Sequence, residues 1–244
     1  NPIEIAKIGQ YAENVYFGKP CGLMDQMACS VGSLIHIDFA DPENPIVEQL
    51  KFDLNTYGYS LCITDTKGTH ADLTPDYAAI PQEMKKAAEC LGKNFLGEVS
   101  KEEIINNITQ IRDCAGDRAA LRALHFVCEN ERVKEEVDAL RKNNFPQFLT
   151  KVKESGDSSF KYLQNVYTCH DVQHQNVSIA LALSDVIFGE KGVCRVHGGG
   201  FAGTIQAFVP NYLVSKYQKE MDKIFGNGSC EVLKIRKYGG IKVL

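Results

Sequence analysis

The sequence has no excess of basic residues, no long apolar run and no CxxC cysteine pair. Its 27 Lys and Arg residues are outnumbered by 31 Asp and Glu residues, which gives a formal net charge of −4. A protein that holds nucleic acid through phosphate contacts usually carries a basic excess. The apolar runs are far shorter than the roughly 20 residues that a membrane-spanning helix needs. Neither a nucleic-acid partner nor a membrane partner is therefore expected.

The nine cysteines are odd in number and irregularly spaced. Zinc sites and disulfide frameworks usually show recognisable spacings. We therefore expect reduced, mostly buried thiols in a cytoplasmic protein. The chain has 244 residues, of which 44% are apolar and 24% charged, as is typical of a globular protein of one or two domains.

The chain also lacks an initiator Met, a signal peptide and a tag, since it begins Asn1-Pro2-Ile3. Asn1 or the residue before it could cap a helix, with Pro2 in the first turn. Such a start indicates either processing or a piece of a longer protein.

Hydrophobic periodicity divides the chain into blocks of helices and strands. The predicted helices are 2–17, 23–31, 81–91, 100–105, 117–142, 145–152, 158–166, 170–188 and 211–225, with a break around Gly156. The predicted strands are 33–39, 46–54, 57–64, 193–197, 204–209, 231–236 and 241–244. Short loops between the first three strands favour antiparallel neighbours. Because the elements come in blocks, an α+β domain is favoured over a doubly wound sheet.

A glycine-rich loop, Val196–Thr204, joins two of these strands and contains Gly198, Gly199, Gly200 and Gly203. Glycine permits positive φ and close backbone approach, and exposed loop amides can bind an anion. A tight hairpin with a bulge is the alternative, but four glycines in six residues are more than it needs. The loop is neither a Walker P-loop nor a dinucleotide fingerprint, because the residues that complete those motifs are missing.

Three further features could carry chemistry. In the turn Pro20–Gln26, Asp25 could orient or deprotonate a substrate hydroxyl, although an Asp near a helix start is more often a cap. Tyr77, in a polar stretch entering a helix, could bind a sugar or simply pack. His170 and His174 have the spacing of metal ligands on a helix, but without a third ligand they are better explained as surface or packing residues.

Taken together, these motifs resemble the galactokinase branch of the GHMP sugar and metabolite kinases. The resemblance rests on Pro20–Gln26, on the separation of His70 and Tyr77, and on the glycine-rich loop 198–203. The segment Arg122–Val133 also resembles the long middle helix of the family. The similarity covers essentially the whole chain. The Cys-Gly-x-Met-Asp-Gln motif is specific, whereas the glycine loop marks only the wider superfamily.

The resemblance implies transfer of the ATP γ-phosphate to the C1 hydroxyl of galactose, with ATP and Mg²⁺ as cofactors. Such a transfer needs an oriented nucleophile and fixed positive groups around the phosphates. Carried over residue by residue, it implies a catalytic Asp25, sugar contacts at Gly22, Asp25 and Tyr77, a magnesium-associated Glu13, and a loop beside the phosphates formed by Gly198, Gly199, Gly200 and Gly203.

Two motifs of the family are missing from the sequence: Gly-Glu-His-x-Asp, which binds sugar, and Pro-x-Gly-x-Gly-Leu-Ser-Ser-Ser, which wraps the ATP phosphates. Both precede the Asp25 motif in the family. We therefore expect residues 1–32 to be the tail of an N-terminal GHMP kinase domain. Residues 33–244 would then be a C-terminal domain, with a layered antiparallel sheet and packed helices. Without its missing N-terminal domain as partner, such a fragment should be inactive.

Departures from the family pattern leave the sugar open. Ala202 stands where many members have Gly, Gly156 where many have His, and Pro81 where many have a basic cluster. The alternatives are a kinase for another sugar, such as N-acetylgalactosamine or arabinose, and a non-catalytic sugar sensor. Retention of Asp25 argues against the sensor.

Overall fold

The computed structural model describes residues 1–18, 21–68 and 73–241, so Pro20 and His70 of the motifs above lie outside the described residues. The chain forms two compact units. The first contains Asn1–Asp53, Leu140–Lys142 and Lys234–Leu244, and the second contains Leu54–Ala139 and Asn143–Leu233. Residues 33–53 thus group with residues 1–32, and the division into kinase domains after residue 32 stays a prediction.

The first unit begins with helix α1 (Pro2–Tyr11), which continues as a short π-helical segment, Ala12–Tyr16. Asn1 caps α1, as the sequence predicts, because its Oδ1 accepts a hydrogen bond from the amide of Ile3 at 3.0 Å. Helix α2 (Met24–Val31) follows and packs against α1 through a small apolar core. Strands β1 (Leu34–Asp38) and β2 (Ile46–Leu50) form an antiparallel hairpin.

The second unit contains a four-stranded antiparallel sheet in the order β4-β5-β3-β6. Its strands are β3 (Tyr59–Asp65), β4 (Val193–His197), β5 (Thr204–Pro210) and β6 (Cys230–Leu233). The predicted antiparallel pairing of consecutive strands is confirmed for β1 and β2. It is wrong for β3, which pairs with β5 and β6, because its partners come from sequence more than 130 residues away.

Helices cover this sheet and form a separate helical layer. They are α3 (Thr74–Glu89), α4 (Lys101–Asn106), α5 (Ile108–Ala115), α6 (Asp117–Arg141), α7 (Phe145–Ser158), α8 (Asn176–Phe188) and α9 (Val214–Phe225). Helices α8 and α9 contribute Phe188, Tyr217 and Met221 to the core against the sheet. Helices α3 to α6 share a second core that includes Ala88, Ile111 and Ala123. The α+β class with antiparallel sheets is confirmed.

Several predicted helix bounds are wrong. Helix α3 begins at Thr74 rather than at residue 81, with Pro75 in its first turn and Pro81 inside it. Helix α7 runs through Gly156 and passes into a π-helical segment, Ser159–Leu163, without a break. A Cβ at Gly156 would lie 3.0 Å from the Cβ of Arg195. The glycine therefore permits close packing of α7 on β4 and does not end the helix.

The predicted helix 170–188 begins only at Asn176. Before it, Asp171 organises a turn in which its Oδ1 accepts hydrogen bonds from the amides of Gln173 and His174, both at 3.3 Å. The two histidines are therefore not on one helix face. Among the last residues, Ile241 is not in a strand, and the rest of the predicted strand 241–244 lies outside the described residues.

The expectation of reduced, mostly buried cysteines is wrong. Cys90 and Cys114 form a disulfide, with Cα atoms 6.1 Å apart, because the end of α3 lies beside α5. Of the free cysteines, Cys62 and Cys230 are buried, whereas Cys29 and Cys169 are exposed. Irregular spacing in sequence is no guide to this pair, which tertiary packing brings together.

No helix within the described ranges is long and apolar enough to cross a membrane.

Candidate functional site

The glycine-rich loop connects β4 to β5 in the second unit and adopts an unusual backbone. Gly198, Gly200 and Gly203 have φ angles of 72°, 87° and 83°, which residues with side chains rarely adopt. A Cβ at Gly200 would lie 1.9 Å from the carbonyl oxygen of Asn165. Both properties expected of glycine here, positive φ and close backbone approach, are therefore present.

Tyr77, in the first turn of α3, contacts this loop directly. Its hydroxyl donates a hydrogen bond to the carbonyl oxygen of Gly200 at 2.8 Å. Its ring lies edge-on to Phe201, with centroids 5.4 Å apart, and a Cβ at Gly199 would be only 2.7 Å from it. Burial, and secondarily the charge of Asp76, raise the pKa of the Tyr77 hydroxyl, so it is a proton donor at neutral pH.

The neighbouring Asp76 is also held in place. It is buried, and its Oδ2 accepts a hydrogen bond from the hydroxyl of Thr168 at 2.9 Å. His170 lies near its other oxygen, at 3.9 Å from Oδ1. The first turn of α3, which carries Tyr77, is thereby tied to the segment before α8.

Thr66, which follows β3, fixes the far end of the loop. Its amide and its hydroxyl both donate to the carbonyl oxygen of Gly203, at 2.9 and 2.7 Å. In turn, the Thr66 carbonyl oxygen accepts a hydrogen bond from the side chain of Asn176 at 3.0 Å. No local signal in the sequence marks Thr66, because its role depends on the pairing of β3 with β5.

The amides of the loop divide into two groups. Those of Phe201 and Ala202 are used inside the protein, by the carbonyl oxygens of Asn165 and Gly200. Gly198 and Gly199 are exposed to solvent. A ligand anion could therefore approach the backbone at Gly198 and Gly199, where glycine leaves no side chain in the way.

In the first unit, Asp25 lies in the first turn of α2 and is exposed. The N-cap residue of α2 is Leu23, with no side-chain cap, so the structure does not support capping as the role of Asp25. Gly22 is exposed, and no other atom lies within 4 Å of where its Cβ would be. Both residues are thus accessible to a small molecule.

Glu13 is half-buried within the π-helical segment that follows α1. The next residue, Asn14, accepts a hydrogen bond from the amide of Cys21 at 2.8 Å, and Gln10 donates to the Cys21 carbonyl oxygen at 3.1 Å. The segment carrying Glu13 is therefore fastened to the residue before Gly22.

The described residues do not assemble a metal site on their own. No group of three or more His, Cys, Asp or Glu side chains comes together among them. His174 instead contacts Asp171, with Nδ1 at 2.7 Å from Oδ2. A single carboxylate such as Glu13 is still compatible with Mg²⁺, which is commonly bound through one or two carboxylates plus substrate phosphates and water.

Comparison with known structures shows the fold. The galactokinase of Lactococcus lactis, in complex with galactose, matches 100% of this chain and 61% of its own, with a TM-score of 0.79 and 24% identity. A D-glycero-D-manno-heptose 1-phosphate kinase from Bacteroides thetaiotaomicron matches 100% of this chain and 56% of its own, with a TM-score of 0.53 and 13% identity. The chain has the fold of the GHMP kinases.

Sequence comparison then narrows the class. The galactokinase of Glaesserella parasuis serovar 5 is 31% identical over 216 residues, which are 88% of this chain and 53% of the relative. The galactokinase of Thermotoga petrophila is 28% identical over 221 residues, covering 90% of this chain and 57% of the relative. No protein-family model matches. The chain is a relative of the galactokinases and spans about half the length of the curated relatives it matches.

Proposed function

We propose that this chain forms part of a galactokinase-like sugar 1-kinase, which transfers the ATP γ-phosphate to the C1 hydroxyl of galactose. One observation carries the proposal: Tyr77 is hydrogen-bonded to the glycine loop at Gly200. The side chain expected at the sugar is therefore in contact with the loop expected at the ATP phosphates, in a chain related to galactokinases.

In the proposed reaction, the C1 hydroxyl oxygen forms a bond to the γ-phosphorus while the bond to the ADP oxygen breaks. The hydroxyl proton passes to the exposed carboxylate of Asp25, which also orients the hydroxyl. The amides of Gly198 and Gly199 would face the phosphates, where backbone donors stabilise developing negative charge. Tyr77 and Gly22 would contact the sugar.

For the cofactors, we propose ATP as phosphate donor and Glu13 as the carboxylate associated with Mg²⁺. Mg²⁺ bound with the nucleotide would neutralise negative charge on the phosphates.

We also propose that the enzyme requires a segment with the Gly-Glu-His-x-Asp and Gly-Leu-Ser-Ser-Ser motifs, so that the chain alone does not turn over. A cytoplasmic location is part of the proposal.

The departures from the family pattern do not favour another sugar. Ala202 is buried and its side chain packs near Gly68, while Gly156 faces β4 at Arg195. Pro81 lies within α3. Packing explains Ala202 and Gly156, and nothing in the structure explains Pro81. None of the three points to another sugar, so galactose remains the substrate that we propose.

The test uses the enzyme that includes the upstream motifs, with galactose, N-acetylgalactosamine and arabinose, and follows sugar-dependent ADP release. We expect turnover with galactose and its loss, by at least about 100-fold in kcat, in Asp25→Asn. Asp38→Asn, at the exposed end of β1, is the matched control and should be unaffected. If none of the three sugars stimulates ADP release, the proposal is refuted.

A further inference from the structure

The glycine loop contains one residue whose backbone is strained. Phe201 has a φ angle of 59° although it is not glycine, and its side chain is buried. Such a conformation persists only where the surroundings fix it. Two of the contacts that fix this loop come from one residue, Asn165.

Asn165 holds the loop through both its backbone and its side chain. Its carbonyl oxygen accepts a hydrogen bond from the amide of Phe201 at 2.6 Å, and its Nδ2 donates to the carbonyl oxygen of Gly199 at 3.2 Å. The residue is only 3% exposed. The backbones pass so closely that Gly200 cannot carry a Cβ.

Asn165 is itself anchored by the helical layer. Two residues earlier, the carbonyl oxygen of Leu163 accepts a hydrogen bond from Nε of Arg122 at 3.0 Å. Arg122 is 1% exposed and forms an ion pair with Glu83 of α3 at 2.8 Å. Helix α3 therefore reaches the loop by two routes, directly through Tyr77 and indirectly through Glu83, Arg122 and Asn165.

We propose that Asn165 is a positioning residue that holds the glycine loop in the shape in which Gly198 and Gly199 face solvent. The part of this inference that concerns ATP rests on the proposed kinase function, whereas the part that concerns the shape of the loop does not. Asn165 would act on the phosphates only through the loop.

The chemistry of the amide sharpens the inference. Among the residues that the structure describes, Oδ1 of Asn165 is buried without a hydrogen-bond partner. The side chain therefore holds the loop through its Nδ2 donor. A carboxylate of the same shape would replace that donor with an acceptor facing the carbonyl oxygen of Gly199. A buried carboxylate is costly whatever role Asn165 has, so the donor-free variant of similar size, Asn165→Leu, separates the two roles. If Asn165 only filled space, Asn165→Leu should leave the loop undisturbed. If its donor positions the loop, Asn165→Leu should disturb it.

The first experiment is hydrogen–deuterium exchange on this chain. In Asn165→Leu, we expect the hydrogen-bonded amides of Phe201 and Ala202 to exchange at least about tenfold faster, while peptides from α9 keep their rates. Asn211→Ala is the matched control, because Asn211 accepts a hydrogen bond from Ser60 at the opposite end of β5. Unchanged exchange at Phe201 and Ala202 in Asn165→Leu would overturn the proposal.

If Asn165→Leu does not fold, Asn165→Ala keeps the test decisive, because it removes the donor and adds neither bulk nor charge. We expect faster exchange at Phe201 and Ala202, and no acceleration would overturn the proposal. In the enzyme with its upstream motifs, we expect a rise of at least about tenfold in KM for ATP, with KM for galactose changed less than about threefold. Faster exchange without any kinase activity would support the positioning role and contradict the proposed function alone.

Discussion

Replacing Gly200 by Ala should disrupt the glycine loop much more than replacing Gly198 by Ala. Both glycines have positive φ, so each Ala incurs the left-handed backbone cost of roughly 1–2 kcal/mol. At Gly198, no other atom lies within 4 Å of the new Cβ, so we expect only that cost. The two variants therefore share the backbone cost and differ in whether the new Cβ meets another atom.

At Gly200, the new Cβ would lie 1.9 Å from the carbonyl oxygen of Asn165. A Cβ atom essentially never lies closer than 3.0 Å to another heavy atom, so the backbone at Gly200 or Asn165 must move by more than 1 Å. That movement would break the bonds that Asn165 makes to Phe201 and Gly199, each worth about 1 kcal/mol. We expect a total loss of roughly 3–5 kcal/mol in the free energy of unfolding.

Urea unfolding of the chain, followed by far-UV circular dichroism, measures both variants against the unmodified protein. The expected order of stability is unmodified, Gly198→Ala and then Gly200→Ala, with the last two separated by at least about 2 kcal/mol. If the two variants agree within about 0.5 kcal/mol, the close approach of Asn165 to the loop is wrong.

Two further predictions concern stability, and a third concerns the cysteines. Tyr77→Phe removes the hydrogen bond to Gly200 and should lower the free energy of unfolding by about 1 kcal/mol in urea titrations. Burial raises the pKa of Glu136 to about 7; the unfolded chain loses this proton at lower pH, so stability should fall as the pH rises towards 7, and Glu136→Gln should be more stable than the unmodified protein at about pH 8 but not at about pH 4. The disulfide between Cys90 and Cys114 predicts seven titratable thiols in denaturant without reductant.

Each of these has its own control. Tyr212→Phe, at an exposed tyrosine, should leave stability unchanged, and equal losses in Tyr77→Phe and Tyr212→Phe would contradict the contact with Gly200. A gain for Glu136→Gln that is the same at both pH values would show that its proton is not the cause. Nine thiols without reductant would rule out the disulfide, whereas nine are expected once dithiothreitol is added.

Local sequence patterns predicted the features whose causes are local. The helix predicted at 100–105 forms as α4, because Ser100 at its start accepts a hydrogen bond from the amide of Glu103 at 3.1 Å. The helix predicted at 117–142 and the strands predicted at 193–197 and 204–209 are also confirmed within one residue. In each case, the residues that determine the structure are within a few positions of one another.

The failures have tertiary causes. A helix break is predicted around Gly156, because glycine is unfavourable inside a helix. The structure shows that this glycine instead permits close packing of α7 on β4. Cys90 pairs with Cys114 because two helices lie side by side. Asn165 lies in the predicted helix 158–166, but the helical segment ends at Leu163, and only the fold brings Asn165 to the loop. The sequence could therefore indicate the glycine loop as a candidate site, but not which residues hold that loop in place.

The measurement that tests the central claim most directly is identification of the product by phosphorus NMR. The enzyme that includes the upstream motifs would be incubated with ATP and galactose, beside its Asp25→Asn variant. The account predicts a sugar phosphorylated at C1, formed together with ADP in equal amounts and lost in the variant. Phosphorylation at another hydroxyl, or undiminished formation of the product by Asp25→Asn, would contradict it.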